Sequence, residues 1–373
     1  MYPIDPGQRH TGHGSGLLTR PMHRGWSGPA AGGADAWNCR EPLAGLRGRY
    51  CRRVGPDTRP GPSGDGSAVP KAELPRFSLR VQTVAHAYTT ATLLRYAEAL
   101  AQSLHNARSA GLIGDSVVAL GDCSEKAAPG KKVLDLLGDA VKEGGAGFAY
   151  ERFGANLGHA EGHNRLFRQN DSELLLLCND DVVVGPQAVT ELVKGLIARP
   201  EVGLVEAHQL PFENPKEYDP VTGETGWCSL ACALTRAELF SSLGGLDAES
   251  FFLYGDDVDY SWRLRLSGHE CVYRPSARVI VDERVDDSGA LLASSKQARY
   301  VAEADLLLSR KYAKPSRLSE RLAWYDEHGT KQQRQAVADF RDRQASGRLP
   351  APVPGAEKVA LFLDGSYAAR RFA

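Results

Sequence analysis

From residue 77 to residue 207 short apolar runs alternate with stretches of helical period, and this alternation constrains the fold more than any other feature of the chain. Residues 79–86 read as a strand, and Leu93, Ala97, Leu100 and Leu104 then recur at helical spacing. Residues 116–120 form a short apolar run. Val133, Leu134, Leu137 and Val141 mark a second helix, and residues 147–153 a third strand. A short helix over 158–169 leads to the leucine run at 174–178. Pro186 suits the first turn of a helix carrying Val189, Leu192, Val193, Leu196 and Ile197 on one face, before residues 202–207 return as a strand. Strands alternating with helices predict a Rossmann-like α/β fold, a mostly parallel sheet with helices on both faces.

Ligands of such sheets bind outside the carboxyl ends of the strands. Two acidic clusters stand at those ends. Gly121-Asp122-Cys123-Ser124 closes Val117-Val118-Ala119-Leu120, and Asn179-Asp180-Asp181 closes Leu174-Leu175-Leu176-Leu177-Cys178. A third lies further on, where Phe251, Phe252, Leu253, Tyr254 and Gly255 give way to Asp256-Asp257-Val258-Asp259, with Trp262 and Arg263 after them. Taken singly, Asp122 reads as a helix cap and Asn179-Asp180-Asp181 as a strand-ending turn. Their common position at strand ends points instead to one cleft. The aromatic residues around Asp256 and Asp257 argue against a solvated face.

The charge balance gives no general reason to expect nucleic acid as partner, since the formal net charge is -1. The longest apolar runs are about five or six residues, far below the roughly 18 of a spanning helix. Seven cysteines without repeated close pairing suggest reduced thiols and a cytoplasmic setting. Residues 1–75 differ from the rest: about a third are Gly or Pro, a proportion expected of a disordered tail. The tail has no apolar segment for a signal peptide. With Met1 and Met22 the only methionines, a start inside it would need a codon other than ATG. From about residue 286 the chain reads as helical and charged, with Leu306-Leu307-Leu308 as an apolar centre.

Asn156-Leu157-Gly158-His159-Ala160-Glu161-Gly162-His163-Asn164, then the leucine run into Asn179-Asp180-Asp181, resembles the family 2 glycosyltransferases of GT-A fold. So does Gly244-Gly245-Leu246-Asp247 followed by Phe252, Tyr254, Asp256-Asp257-Val258-Asp259, Arg263 and Gly268. The resemblance spans residues 77–285 and is nearest to the rhamnosyltransferase-like branch. It implies a GT-A domain over 76–285, with residues 286–373 as a helical C-terminal appendage. It also implies transfer of a sugar from a nucleotide-sugar donor to an acceptor hydroxyl, usually with inversion and with Mg²⁺ or Mn²⁺.

In that family pattern Asp181 is the metal-binding carboxylate, with Asn179 and Asp180 beside it on the donor. Asp122 falls where the donor's base or ribose is contacted, and Asn156, Gly158 and Asn164 where amide groups and close backbone serve the nucleotide. Asp257, paired with Asp256, falls on the general base. Like charges at Asp256 and Asp259 are expected to raise its pKa. Arg263 either offsets that charge or anchors a helix. Trp227 and residues 228–234 are expected near the acceptor. A glycan, a lipid-linked intermediate or a small molecule would serve as acceptor, with a peripheral place at the inner membrane face and a homodimer both open.

Departures from the pattern are visible. His86-Ala87-Tyr88 follows the first strand, Asp256 replaces a commoner Glu, and Asp282 stands where the family often has a metal-binding His, an oxygen ligand that would still suit Mg²⁺ or Mn²⁺. Ala304-Asp305 replaces an Arg-Asn pair. These keep open a non-catalytic homologue binding nucleotide or partner. A sugar-nucleotidyltransferase is disfavoured, because residues 86–90 are neither Gly-rich nor basic. His159-Ala160-Glu161 is set aside as a zinc signature: Cys228 and Cys232 have the wrong spacing, and no Pro precedes them.

Overall fold

A computed structural model of the chain describes residues 76–125, 128–212, 214, 216–281, 295–363, 367–369 and 371. The Gly- and Pro-rich tail, Asp282 and the expected boundary near residue 285 lie outside the described residues.

The first half runs β1 (Phe77–Ala85), α1 (Thr90–Ser109), β2 (Ile113–Asp122), α2 (Lys131–Glu143), β3 (Gly147–Arg152), α3 (Gly158–Phe167) and β4 (Leu174–Cys178). Then follow β5 (Val182–Val184), α4 (Ala188–Ile197), β6 (Val202–Leu210), β7 (Glu224–Thr225), β8 (Cys232–Arg236) and α5 (Ala237–Ser242). The chain continues with α6 (Asp256–Leu266), β9 (Glu270–Val281), α7 (Ser295–Lys311), α8 (Pro315–His328) and α9 (Lys331–Ala345). No helix among the described residues is long and apolar enough to cross a membrane.

The strands form one sheet in the order β3-β2-β1-β4-β8-β6-β9-β5, with β7 paired to β9. Six strands (β1, β2, β3, β4, β6 and β9) run one way, and β5, β7 and β8 oppose them. The expected mostly parallel sheet is present, with β8 inserted antiparallel between β4 and β6. Burial explains why. The central strand β4 is buried along its whole length, and its period of two divides the molecule. Leu174 and Leu176 pack with α1, α2 and α4 on one face. Leu175 and Leu177 pack with Ala160 of α3, Phe240 of α5 and Tyr260 and Leu264 of α6 on the other. A strand covered on both faces has no place for a polar side chain, and hence reads as a continuous apolar run.

Local signals set the helix ends. The Thr89 hydroxyl accepts the Thr92 N–H at 3.1 Å and caps α1. The N–H of Val189 in α4 donates to Ser103 Oγ of α1 at 3.0 Å, satisfying a buried donor. Helix α6 starts at Gly255, whose φ is +80°. It carries Asp256, Asp257 and Asp259 in its first turn and Arg263 and Arg265 in its last, complementing its dipole.

The C-terminal helices share a core with α6. Ala302, Leu306, Leu307 and Leu308 of α7 and Phe340 of α9 pack with Phe251, Val258 and Trp262. Polar groups reinforce the contact. Lys311 lies 2.6 Å from Asp247 and 2.5 Å from Asp259, and Tyr312 donates its hydroxyl to Asp259 at 3.0 Å. Asp305, where the family pattern has a different pair, accepts from Arg321 at 2.8 Å and also from Arg317 and Tyr325. It stabilises the α7–α8 contact.

Candidate functional site

Parallel pairing puts the carboxyl ends of β1, β2 and β4 on one side, with Asp122 in register with Ala85. Because β8 is antiparallel, the residues leading into it lie at that same end, and the Asn179 N–H donates to Ala231 O at 2.9 Å. The two acidic strand ends seen in the sequence thus lie along one edge.

Asp122 is fully buried. Its Oδ1 accepts the Ser124 N–H, and its Oδ2 accepts the hydroxyls of Tyr88 and Tyr150, each contact at 2.8 Å. Burial and the bond to Asp122 push the Tyr88 hydroxyl up to about 12 and raise that of Tyr150 further. The carboxylate therefore holds the two half-buried tyrosines that flank the ends of β1 and β3. Asp180 lies near enough for its charge to act on Tyr88 and Cys123.

Helices α3 and α6 meet over this edge. Gly158 opens α3 at φ +77°, and a Cβ there would lie 2.3 Å from Phe252 O. Only glycine permits this approach, which lets the His159 N–H donate to Phe252 O at 2.9 Å. The His159 ring then reaches the first turn of α6, with Nδ1 2.5 Å from Asp256 Oδ2. The Asn179 side chain lies near enough to act on the ring. Burial works against a charged ring, but Asp256 and Asp257 carry the His159 pKa above the ordinary imidazole value. The neighbouring His163 is fully buried, its ring centroid 4.5 Å from that of His159, and burial drives its pKa well down.

Asp257 stands beside this pair. Burial, then repulsion from Asp256, pushes its carboxyl up to about 7, opposed by the Val258 N–H, His159 and Lys216. Asp259 is committed elsewhere. It faces away and is held by Arg263 at 2.8 Å, Lys311 and Tyr312. Arg263 is an anchor, since its guanidinium also donates to the carbonyls of Leu243 and Gly245 at 2.7 and 2.8 Å. Gly244 and Gly245, both at positive φ, form the turn that presents those carbonyls.

The remaining expected site residues divide. Asn156 Oδ1 accepts the Gly158 N–H at 3.1 Å and shapes the entry to α3. Asn164 turns its carboxamide onto the backbone of Leu246, donating to its carbonyl at 2.7 Å and accepting its N–H at 2.9 Å. It ties α3 to the glycine turn. Residues 228–234 are mostly interior: Cys228, Cys232, Ala233 and Leu234 have no exposed surface. Those four side chains therefore offer no surface to an acceptor, while Ala231 remains at the edge beside Asn179.

Asp180 is half-buried and Asp181 exposed. Burial and Asp181 raise the Asp180 carboxyl to about 7, so the two repel in a way a cation would relieve. Hard oxygen donors of this kind fit Mg²⁺ or Mn²⁺, which take one or two carboxylates and complete their shell with phosphate and water. Among the described residues no group of three or more His, Cys, Asp or Glu side chains could hold a metal unaided.

Two contributors escape a reading of the sequence. Lys216, 2 % exposed, pairs with Glu206 and lies 4.0 Å above the Trp227 ring centroid, near enough to act on Asp257. Nothing local marks it. Tyr367 packs against Trp227 and Trp262 at 6.3 and 5.9 Å between centroids, and its hydroxyl senses Asp257. His159 was visible, next to a glycine at a helix start, but its partner Asp256 is 97 residues away.

Comparison with known proteins matches the resemblance seen in the motifs. The chain is 27% identical over 201 residues to the N-acetylglucosaminyl-diphospho-decaprenol L-rhamnosyltransferase of Mycobacterium tuberculosis, covering 41% of this chain and 65% of that protein. It is 32% identical over 177 residues to the O-antigen biosynthesis protein RfbC of Myxococcus xanthus, covering 39% of this chain and 13% of that protein. The chain thus spans less than two thirds of either relative. Among solved structures, the mannosyltransferase PcManGT of Pyrobaculum calidifontis, in complex with GDP-Man and Mn²⁺, aligns with a TM-score of 0.48 and 15% identity. That alignment covers 76% of this chain and 78% of that one. No family model matches the chain.

Proposed function

We propose that this protein transfers a glycosyl group from a nucleoside-diphosphate sugar to an acceptor hydroxyl, with inversion at the anomeric carbon. The observation that carries the reading is the arrangement around Asp257. A carboxyl held near neutrality stands at the first turn of α6, where Asp256 pairs with His159 of α3 beside the acidic loop that follows β4.

In this reading the acceptor oxygen attacks the anomeric carbon while Asp257 takes its proton. The bond from that carbon to the diphosphate oxygen breaks, and its electron pair leaves with the nucleoside diphosphate. A base of pKa near 7 suits a hydroxyl nucleophile at neutral pH and contributes about 10²–10⁴ in rate. Asp181, with Asp180, would hold a divalent cation that neutralises the charge on the departing diphosphate. Tyr88 and Tyr150, fixed by Asp122, would line the nucleoside side, with Asn156 and Gly158 shaping the backbone there. Asn164 supports this wall from behind. A rhamnosyl donor and a lipid-linked diphosphate acceptor are the first pair to try, because the mycobacterial relative is named for that transfer. An acceptor of that kind would give a chain without a described spanning helix a reason to work at a membrane surface.

Thermal melts with UDP, GDP and dTDP, with and without Mn²⁺, test the reading. A ligand that binds the native state raises its apparent stability by mass action. A metal-dependent rise for one nucleotide, lost in Asp181→Ala, is expected. No rise with any nucleotide in folded protein would leave a repurposed scaffold rather than a transferase.

A further inference from the structure

Two adjacent carboxylates at the start of a helix do not by themselves say which one exchanges a proton. The surroundings of His159 do. Its Nδ1 is 2.5 Å from Asp256 Oδ2, its main-chain N–H donates to Phe252 O at 2.9 Å, and the Asn179 side chain lies near enough to act on its ring. The Asp256 side chain is 4 % exposed and that of His159 15 %. One residue therefore joins the entry of α3 to the first turn of α6, beside the loop after β4.

We propose that His159 is a positioning residue for the transfer: it holds the entry of α3 and the first turn of α6 in one register and commits Asp256 to an ion pair, so that the acceptor proton goes to Asp257. This rests on the transferase reading above. The chemistry follows from the inventory of each group. An imidazolium has two N–H donors, and Asp256 takes one of them. A carboxylate in a short, charge-assisted hydrogen bond is a poor base, because protonating it would forfeit that bond. Asp257 lies close enough for the ring to moderate its charge.

The charged and titratable neighbours on every side agree. From α6 come Asp256 and Asp257, while Asp259 is turned to Arg263 and Lys311. From α3 comes His163, kept neutral by burial and by His159. From the segment after β6 comes Lys216, whose charge is matched by Glu206. From the C-terminal segment comes the hydroxyl of Tyr367. Removing the His159 charge therefore leaves Asp257 with less opposite charge and Asp256 without a partner.

The test has two arms. Imidazole NMR on nucleotide-free protein follows the His159 titration in wild type and Asp256→Asn. The midpoint should lie above the ordinary imidazole range in wild type and clearly lower in the variant, and an unchanged midpoint overturns the pairing. Transfer kinetics against pH then compare wild type with His159→Gln. The variant should keep its nucleotide-dependent thermal shift, lose at least about tenfold in kcat, and show its acid limb displaced to higher pH. A superimposable profile, or a loss of kcat with the acid limb unmoved, overturns the proposal. If the wild type itself binds no nucleotide and transfers nothing, the transferase reading fails, while the NMR arm still decides the pair.

Discussion

Gly158 and Phe252 touch backbone to backbone: a Cβ on the glycine would lie 2.3 Å from the phenylalanine carbonyl oxygen. That contact joins α3 to the segment entering α6, and with it the donor side of the cleft to the candidate base. Gly158→Ala should separate them. It adds a clash to a φ of +77°, a conformation costing an L-residue about 1–3 kcal/mol. Urea denaturation should show a loss of that order, with transfer falling more than nucleotide binding. A change below about 0.5 kcal/mol, as for an ordinary surface site, would mean that the contact yields.

Lys311 offers a second test, of how the C-terminal helices hold α6. Its ammonium stands between Asp247 and Asp259, and the Asp259 side chain is wholly buried. Lys311→Ala leaves Asp259 with Arg263 as its remaining ion-pair partner. Removing one member of a buried pair costs about 3–5 kcal/mol, and the surviving arginine should place the loss near the lower end. Lys194→Ala removes a half-exposed lysine from Glu191, which keeps Arg274 and Ser276 as partners, and should cost less than about 1 kcal/mol. Equal melting shifts for the two variants would contradict the structural role of Lys311.

The pH dependence of Asp257 has a definite sign. Its folded carboxyl is raised to about 7, while an unfolded one titrates near 4. Between those values the native state binds more protons than the unfolded state, so this group's contribution to stability falls as pH rises, then levels off above 7. Activity runs the other way, rising through about pH 7 as the base ionises. Asp257→Asn should lower turnover by about 10²–10⁴ and flatten the fall in stability. A variant with near-normal turnover would move the base elsewhere.

Asp122 should prove important for the tyrosines it holds. Tyr88→Phe and Tyr150→Phe each remove one hydroxyl donor from a buried carboxylate, at a cost of about 1.5–3 kcal/mol. Asp122→Ala orphans both hydroxyls and should exceed either. Chemical denaturation of the three variants gives the order, and an Asp122→Ala protein as stable as wild type would refute it.

Much of the core was legible because burial writes itself into local period. The alternation Leu174/Leu176 against Leu175/Leu177 and the helical spacing from Leu93 to Leu104 both follow from one covered face per element. β9 was not legible, because Pro275 interrupts it. The β6–β9 register jumps between the pairs Ala207–Arg274 and His208–Arg278, so the proline sits in a bulge where its missing N–H breaks no ladder bond. β8 was hidden too, since four consecutive buried residues in an antiparallel insertion carry no period of their own.

The sequence by itself determined the apolar faces of the early strands and helices and the acidic ends of β2 and β4, since these follow from hydrophobic pattern, while the place of the third acidic cluster beside them rested on the family resemblance. Only the tertiary structure decided what each polar group does. Asn164 was turned to Leu246, Asp122 to two tyrosines, and His159, first set aside as a false zinc signature, to Asp256. Hydrogen bonds and charges act over a few ångströms, and these partners lie 28 to 97 residues apart along the chain. Local pattern therefore fixes where a polar side chain is set, while its chemistry depends on which distant segment the fold packs against it.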